Sequence, residues 1–165
     1  MSPNQCAQTV AGGDLVVEFT GPGLLRAIRH RSSGYAYLDD KGHGTSPWRL
    51  HLRDRAGRTR IATALQARVS STARHADGLH HVWSDIDGAG TLVVHAWITP
   101  QEDGLAWRLV VDGLNADAAL WQADFPVLEG MRPIDQGDDE RWLIPKAGGY
   151  VVHNAAHARL GATGD

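Results

Sequence analysis

The 165-residue sequence has little of several residues that mark particular classes of protein. Cys6 is the only cysteine, so no intramolecular disulfide can form and the fold must rest on packing. Only two lysines are present and the net charge is −3. Nucleic acid and anionic lipid both require clustered basic side chains, so we expect neither a nucleic-acid partner nor a membrane partner.

Long apolar runs and targeting signals are missing as well. No segment approaches the roughly 20 consecutive apolar residues that a membrane helix requires. The first twenty residues, MSPNQCAQTVAGGDLVVEFT, lack the basic start and the apolar stretch of a secretory signal peptide. These absences favour a cytoplasmic protein.

Motifs that carry a known chemistry are also absent: G-x-S-x-G, the Walker loop, G-x-G-x-x-G, H-E-x-x-H and C-x-x-C. Among nine histidines, His80 and His81 are neighbours that a strand directs to opposite faces. His153 and His157 have no carboxylate close by in sequence. The acidic run at 135–140 lacks the alternating ligands of a calcium loop. We therefore predict no metal, no cofactor and no catalytic residue.

What the sequence does contain is period-two alternation of apolar and polar residues. In WRLHLRD, Trp48, Leu50 and Leu52 face one way and the residues between them face the other. The runs TLVVHAWI and LAWRLVV are apolar on both faces apart from His95 and Arg108, which is typical of central strands covered on both sides. Short turns rich in Gly, Asn and Asp separate these runs. The pattern predicts an all-β, antiparallel β-sandwich with little helix.

The spacing of the turns gives the expected strands and domain limits. The strands are expected at 14–20, 23–30, 35–38, 47–54, 59–66, 67–76, 79–86, 91–99, 105–113 and 119–125, with a further extended piece at 141–152. The best helix candidate is NADAALWQA at 115–123. Residues 1–13 are expected to be a flexible N-terminus and 14–154 to form a single sandwich domain. Residues 155–165 are expected to be a tail or the start of a linker to a following domain.

Six tryptophans is a high count for a chain of this length. An indole face packs on the apolar side of a pyranose, while polar side chains bond the sugar hydroxyls. Most of the tryptophans are expected to fill the space between the sheets, above all Trp97 and Trp107 in their doubly apolar strands. Trp83 and Trp121, which have polar neighbours in sequence, are the candidates for a partly exposed surface that binds carbohydrate.

Two segments resemble a known family. The run FTGPGLLRAIRHRSSGYAYLDD resembles the opening of the galactose-mutarotase-like sandwiches. The matching positions are Gly23, Leu25, Ile28, Ser33, Gly34, Tyr37 and Leu38. The run FPVLEGMRPIDQGDDERWLIPKAGGYVVHN is similar to a passage in the N-terminal sandwich of large bacterial proteins related to glycoside hydrolases. The resemblance covers roughly residues 14–154.

This resemblance implies a supersandwich of two large antiparallel sheets that leads into a catalytic barrel. In the relatives the catalytic carboxylates lie on the barrel. The chain would then be a non-catalytic N-terminal module of a carbohydrate-active protein, packing on a C-terminal catalytic domain and helping to shape its cleft. The apolar patch on which the barrel would dock is exposed in the isolated chain, and two copies of the chain could form a homodimer through it.

Two alternatives remain open. In the first, the chain is an independent carbohydrate-binding module with Trp83 or Trp121 as its platform. In the second, it is a small enzyme of the aldose-epimerase type, a class that pairs a histidine general acid with a glutamate general base. None of the four glutamates can be matched to that motif; they are Glu18, Glu102, Glu129 and Glu140.

Overall fold

The structure is a computed structural model that describes residues 7–39, 44–114 and 118–132, together with the backbone of 141–144 and 150–153. Its strands are β1 (Gln8–Gly12), β2 (Leu15–Phe19), β3 (Leu25–His30), β4 (Ala36–Asp39), β5 (Arg49–Asp54), β6 (Thr59–Thr63), β7 (Ala67–His75), β8 (Gly78–Ile86), β9 (Val93–Gln101), β10 (Gly104–Asp112), β11 (Ala118–Asp124), β12 (Arg141–Ile144) and β13 (Tyr150–His153). A 3-10 turn at Ala64–Gln66 separates β6 from β7. The prediction of an all-β antiparallel sandwich is confirmed.

The strands form four antiparallel sheets. Sheet I has the order β1-β2-β3-β4, sheet II the order β10-β9-β8-β7, and sheet III the order β11-β5-β6. Strands β12 and β13 form a separate two-stranded hairpin. Most neighbours in these sheets are consecutive along the chain, so short turns connect them, as the Gly- and Asp-containing turns of the sequence predict.

The backbone divides into two compact units, Met1–Gly130 and Met131–Asp165. The first unit holds sheets I, II and III, and the second holds the β12–β13 hairpin. We expected one sandwich domain over 14–154, and the strands of the sandwich lie in the first unit. Residues 155–165, for which we expected a tail or a linker, lie outside the described residues.

The prediction of a flexible N-terminus is wrong for part of the segment 1–13. Part of the segment 1–13, which we expected to be flexible, forms β1 and pairs antiparallel with β2. Val10 is buried, and Gly12 lies so close to the carbonyl of Gly104 that a Cβ would not fit between them. A buried glycine adds nothing to a hydrophobic pattern, so the alternation in QTVAG is invisible in the sequence.

The helix candidate at 115–123 is wrong over its described part. Residues Ala118–Asp124 form β11, which pairs with β5. The segment offered only about two turns of helical pattern. Helix propensity of that size is a weak preference, and pairing with a neighbouring strand overrides it.

The core lies where sheet II packs its inner face against sheets I and III. Phe19 of sheet I has its ring centroid 4.7 Å from that of His81 and 5.8 Å from that of Trp107. Trp48, just before β5, meets Trp83 of sheet II edge to face at 5.8 Å. The largest fully buried side chains include Trp48, Trp83, Phe19, Leu25, Leu38, Leu50 and Leu52. The inner faces of three sheets therefore share a single apolar core.

His81 is the only buried polar residue within the described part of this core. Its Nδ1 shares a hydrogen bond of 2.8 Å with the Thr72 hydroxyl, and its Nε2 has no hydrogen-bond partner. Burial, followed by the charge of neighbouring His80, lowers the pKa of His81 from 6.5 to about 4. As the sequence predicts, the two adjacent histidines occupy opposite faces of β8: His81 is buried, and His80 is half-exposed.

Replacing this histidine should change how stability depends on pH. Because the folded pKa of His81 lies below the unfolded value, the unfolded state binds more protons between pH 6.5 and about 4. Its contribution to the free energy of unfolding therefore falls as pH drops below 6.5, by about 2 kcal/mol between pH 7 and pH 5. His81→Leu should lose this contribution, as measured by urea unfolding at both pH values. An equal pH dependence in the variant and the wild type would contradict the assignment.

Candidate functional site

The two tryptophans singled out in the sequence lie in opposite environments. Trp83 is 1% exposed, and its Nε1–H donates a hydrogen bond of 2.9 Å to the carbonyl of Pro22. Trp121 is 65% exposed. The prediction that Trp83 is partly exposed is wrong, because side chains alternate along a strand and the polar neighbour Ser84 marks the opposite face of β8. Trp121 remains as the candidate.

A β-bulge places Trp121 on the surface. The register between β11 and β5 shifts between Leu120, which pairs with Leu52, and Gln122, which pairs with His51. Trp121 is therefore an extra residue in an edge strand of sheet III. Bulges of this kind re-aim a side chain without ending the pairing on either side.

Arg53 covers part of the indole and is itself held in place. Its Cζ lies 4.9 Å from the centroid of the Trp121 ring, a cation–π contact. Its Nε donates a hydrogen bond of 3.3 Å to the carbonyl of Gly57. Gly57 belongs to a turn in which Asp54 accepts hydrogen bonds of 2.9 and 2.8 Å from the backbone N–H and the Nε of Arg58. Those hydrogen bonds lower the pKa of Asp54.

A hydrogen-bonded row of polar side chains continues from the indole along the same outer face. Oδ2 of Asp124 lies 3.2 Å from Nε2 of His51, and the Gln122 amide donates a hydrogen bond of 2.6 Å to Oδ1 of Asp124. The bond from Gln122, and then that from His51, lowers the pKa of Asp124, which is therefore ionised at neutral pH. We define the Trp121 surface as Trp121, Arg53, His51, Gln122 and Asp124.

The Trp121 surface is an open sheet face and not a cleft, so a ligand bound on it would stay largely in contact with water. Its histidine and carboxylate, His51 and Asp124, lie on a sheet face, and both oxygens of Asp124 are already hydrogen-bonded. A nearby cleft lies between the β5–β6 turn and the loop after β8. The described residues that line it include no histidine; they are Asp54, Arg58, Thr59, Arg60, Gly88, Gly90 and Ala118. The general acid and base of an epimerase would need to converge on a sugar in such a cleft.

Metal ligands do not converge within the described residues. No three or more histidine, cysteine, aspartate or glutamate side chains lie where they could hold one ion. The side chains of His153 and His157 and the acidic run at 135–140, weighed in the sequence as ligand candidates, lie outside this description. Among the described residues, no helix has the length and apolar character to cross a membrane.

The outer face of sheet II carries a second cluster, which the sequence did not suggest. The rings of His80 and Trp97 stack 4.4 Å apart at 6° between their planes. Nε2 of His80 lies 3.2 Å from Nδ1 of His95, and Nε2 of His95 lies 3.6 Å from Oδ2 of Asp112. On its other side, Trp97 is covered by the Cζ of Arg108 at 5.1 Å. We call these five residues the imidazole–indole ladder.

Two predictions about sheet II are wrong. We expected the strands of sheet II to be covered on both sides and Trp97 to lie in the core, but Trp97 is half-exposed on the outer face. Trp107, by contrast, lies on the inner face, against Phe19 and Phe125. The signal was present in the sequence: His95 and Trp97 are two residues apart and so share a face, and the polarity of His95 marks that face as the open one.

The fold and its surfaces thus define an all-β antiparallel sandwich with side chains suited to binding on the outer faces of sheets II and III. No family model matches the chain, and neither the curated proteins nor the solved structures compared with it include a match. The geometry of the two outer faces is therefore the basis for inferring a function.

Alanine substitutions should separate the two candidate tryptophans by stability. Trp83→Ala removes a buried indole and should lower the free energy of unfolding by about 3–5 kcal/mol. Trp121→Ala removes an exposed one and should change it by no more than about 0.5 kcal/mol. Urea unfolding of both variants beside the wild type gives the comparison. A loss of stability in Trp121→Ala as large as that in Trp83→Ala would show that the indole is part of the core.

Proposed function

We propose that the chain is a non-catalytic β-sandwich module that binds carbohydrate through the Trp121 surface. It would serve as an accessory domain of a carbohydrate-active, glycoside-hydrolase-like protein, the class that the galactose-mutarotase-like sequence segments suggest. One observation carries the proposal: an indole that is 65% exposed stands next to a hydrogen-bonded row of polar side chains.

The indole supplies the apolar half of a sugar site. A pyranose presents a flat face of C–H groups, which packs on an aromatic ring. The Arg53 guanidinium contacts the Trp121 ring and is anchored at the carbonyl of Gly57. This support holds the ring in position before a ligand arrives, which reduces the entropy lost on binding.

The polar row supplies the other half. Asp124 is an acceptor, Gln122 carries both an amide donor and a carbonyl acceptor, and His51 offers a ring nitrogen. Asp124 lies three residues beyond Trp121, which on a strand is about 10 Å. A surface of this length suits an extended oligosaccharide better than a single sugar ring, because a ligand must reach both the indole and the carboxylate.

A second candidate function uses the same part of the molecule. Exposed aliphatic side chains lie on β6 and around the turn that follows it: Ile61 is 50% exposed and Leu65 is 62% exposed. Ile61 pairs with His51, so it shares the face of the Trp121 surface. Trp and Arg are the side chains most enriched at binding hot spots of proteins. These residues favour docking on a companion catalytic domain as the alternative role of this face.

Titration with oligosaccharides tests the carbohydrate proposal. A panel of soluble neutral oligosaccharides should change the intrinsic tryptophan fluorescence and release heat in calorimetry, because a sugar that stacks on Trp121 removes the ring from water. Trp121→Ala should abolish both responses, and Arg53→Ala should weaken them. Trp97→Phe, which alters an indole on the opposite sheet, is the matched control and should retain both.

A wild-type protein that gives neither response to any of the glycans would contradict the carbohydrate proposal. Retention of the full response in Trp121→Ala would contradict it as well. In the first case docking becomes the better account of the surface. Ile61→Asp should then lower the thermal stability of the module when a companion domain is attached, and leave it unchanged in the isolated chain.

A further inference from the structure

The outer face of sheet II spans four strands and carries few acidic or basic side chains. It is built from four strands of nine residues each. Three neighbouring rows of side chains cross the four strands, and His75, Thr99 and Ala106 lie beyond them on the same face. The middle row is Ser71, Val82, His95 and Val110. The row on one side is Val69, Ser84, Val93 and Asp112. The row on the other side is Ala73, His80, Trp97 and Arg108.

Apart from the histidines, the acidic and basic side chains in these three rows are Arg108 and Asp112. Burial, followed by the charges of His95 and His75, lowers the pKa of His80 and keeps that imidazole neutral. Val69, at the edge of the face, is 55% exposed. Strand β1 lies on the inner side of sheet II, where Gly12 is close to Gly104 and Leu105, and so leaves the outer face open. A sheet face with this composition is typical of a protein–protein interface.

We propose that this face is a self-association surface on which two copies of the chain pack sheet II against sheet II across a two-fold axis along the middle row. Such an axis reverses the strand direction of the second copy. Each row flanking the middle one then faces the opposite flanking row of the other copy. An interface of this type is self-complementary, as a two-fold interface must be.

The charges support this arrangement. Arg108 and Asp112 stand two residues on either side of Val110 on the same strand. The axis therefore places Arg108 of each copy opposite Asp112 of the other, which gives two equivalent ion pairs of opposite charge. Aligned sheets pack at about 30° to each other, and the long arginine side chain can span the resulting offset. Complementary charges of this kind fix the register of an interface more than they add to its affinity.

The sizes of the side chains match in the same way. The row of large rings, which contains His80 and Trp97, lies opposite the row that contains Ser84 and Val93. Bulky side chains of one copy thus meet small side chains of the other, as interdigitating sheets require. The complementarity of charge and the complementarity of size arise from the same axis, although they involve different residues.

The area is that of a weak dimer. The axis overlays the whole of β7 and β8 but only residues 93–97 of β9 and 108–112 of β10. With strands about 4.8 Å apart and about 3.3 Å per residue, the overlapping parts cover roughly 440 Å² on each copy. The total of roughly 900 Å² lies below the range of stable interfaces and in that of weak, transient ones. We therefore expect a reversible dimer that dissociates on dilution.

The dimer is independent of the carbohydrate proposal because the two use different sheets. The Trp121 surface is on sheet III, and the self-association surface is on sheet II. Loss of glycan binding in Trp121→Ala should leave the dimer unchanged. Loss of the dimer in a sheet II variant should likewise leave glycan binding unchanged.

Charge reversal across the axis tests the proposal. Arg108→Asp places aspartate opposite aspartate, and Asp112→Arg places arginine opposite arginine. Each single variant should raise the dimer dissociation constant at least tenfold in sedimentation velocity over a concentration series. The double variant, Arg108→Asp with Asp112→Arg, restores opposite charges and should dimerise like the wild type. Arg26→Asp, the same charge change on an exposed position of sheet I, is the matched control and should have no effect.

A mixing experiment makes the test sharper. Each single variant alone should dimerise at least tenfold more weakly than the wild type. An equimolar mixture of Arg108→Asp and Asp112→Arg should form a heterodimer with wild-type affinity, because each carries the charges that the other lacks. Circular dichroism checks that every variant is folded. A wild type that remains monomeric at the highest concentration reached would overturn the proposal. So would a wild-type dimer that neither single substitution weakens, or a mixture that forms no heterodimer.

Discussion

The structure depends on one constraint: the inner face of sheet II must be covered by sheets I and III at once. Phe19 from sheet I and Trp48, the residue before β5 of sheet III, both reach this face, where they contact His81 and Trp83. The single cysteine leaves no internal disulfide to share the task, so apolar packing carries the stability of the fold. Each indole or phenyl ring in this contact removes a large apolar area from water.

Because strands alternate, filling the core also decides what faces outward. Away from the β-bulges, a residue that points into the layer is followed by one that points away from it, and the packed inner side holds the sheet in place. The packed core thus holds the Trp121 surface and the imidazole–indole ladder in place, although their side chains add little to its packing. Binding groups mounted on a rigid sheet keep their spacing, which loops at the same positions would not ensure.

The sequence predicted the fold better than it predicted the sites. Alternation and turn chemistry located most strands within a few residues, since both follow from local geometry. β1 was missed because a glycine occupies one of its buried positions. Trp83 was taken for exposed and Trp97 for buried, although a polar residue marks the open face of each strand: Ser84 is one place from Trp83, and His95 is two places from Trp97. The convergence of His51, Gln122 and Asp124 could not be predicted, because it depends on contacts between strands distant in sequence.

The bulge at Trp121 allows the residue at this position to vary without disturbing the fold. Leu120 and Gln122, on either side of it, keep their pairing with β5, so the indole itself takes no part in packing the core. Substitution at this position leaves the hydrophobic pattern of β11 intact. The side chain at this outward position can therefore change by a single codon while the packing beneath it is retained.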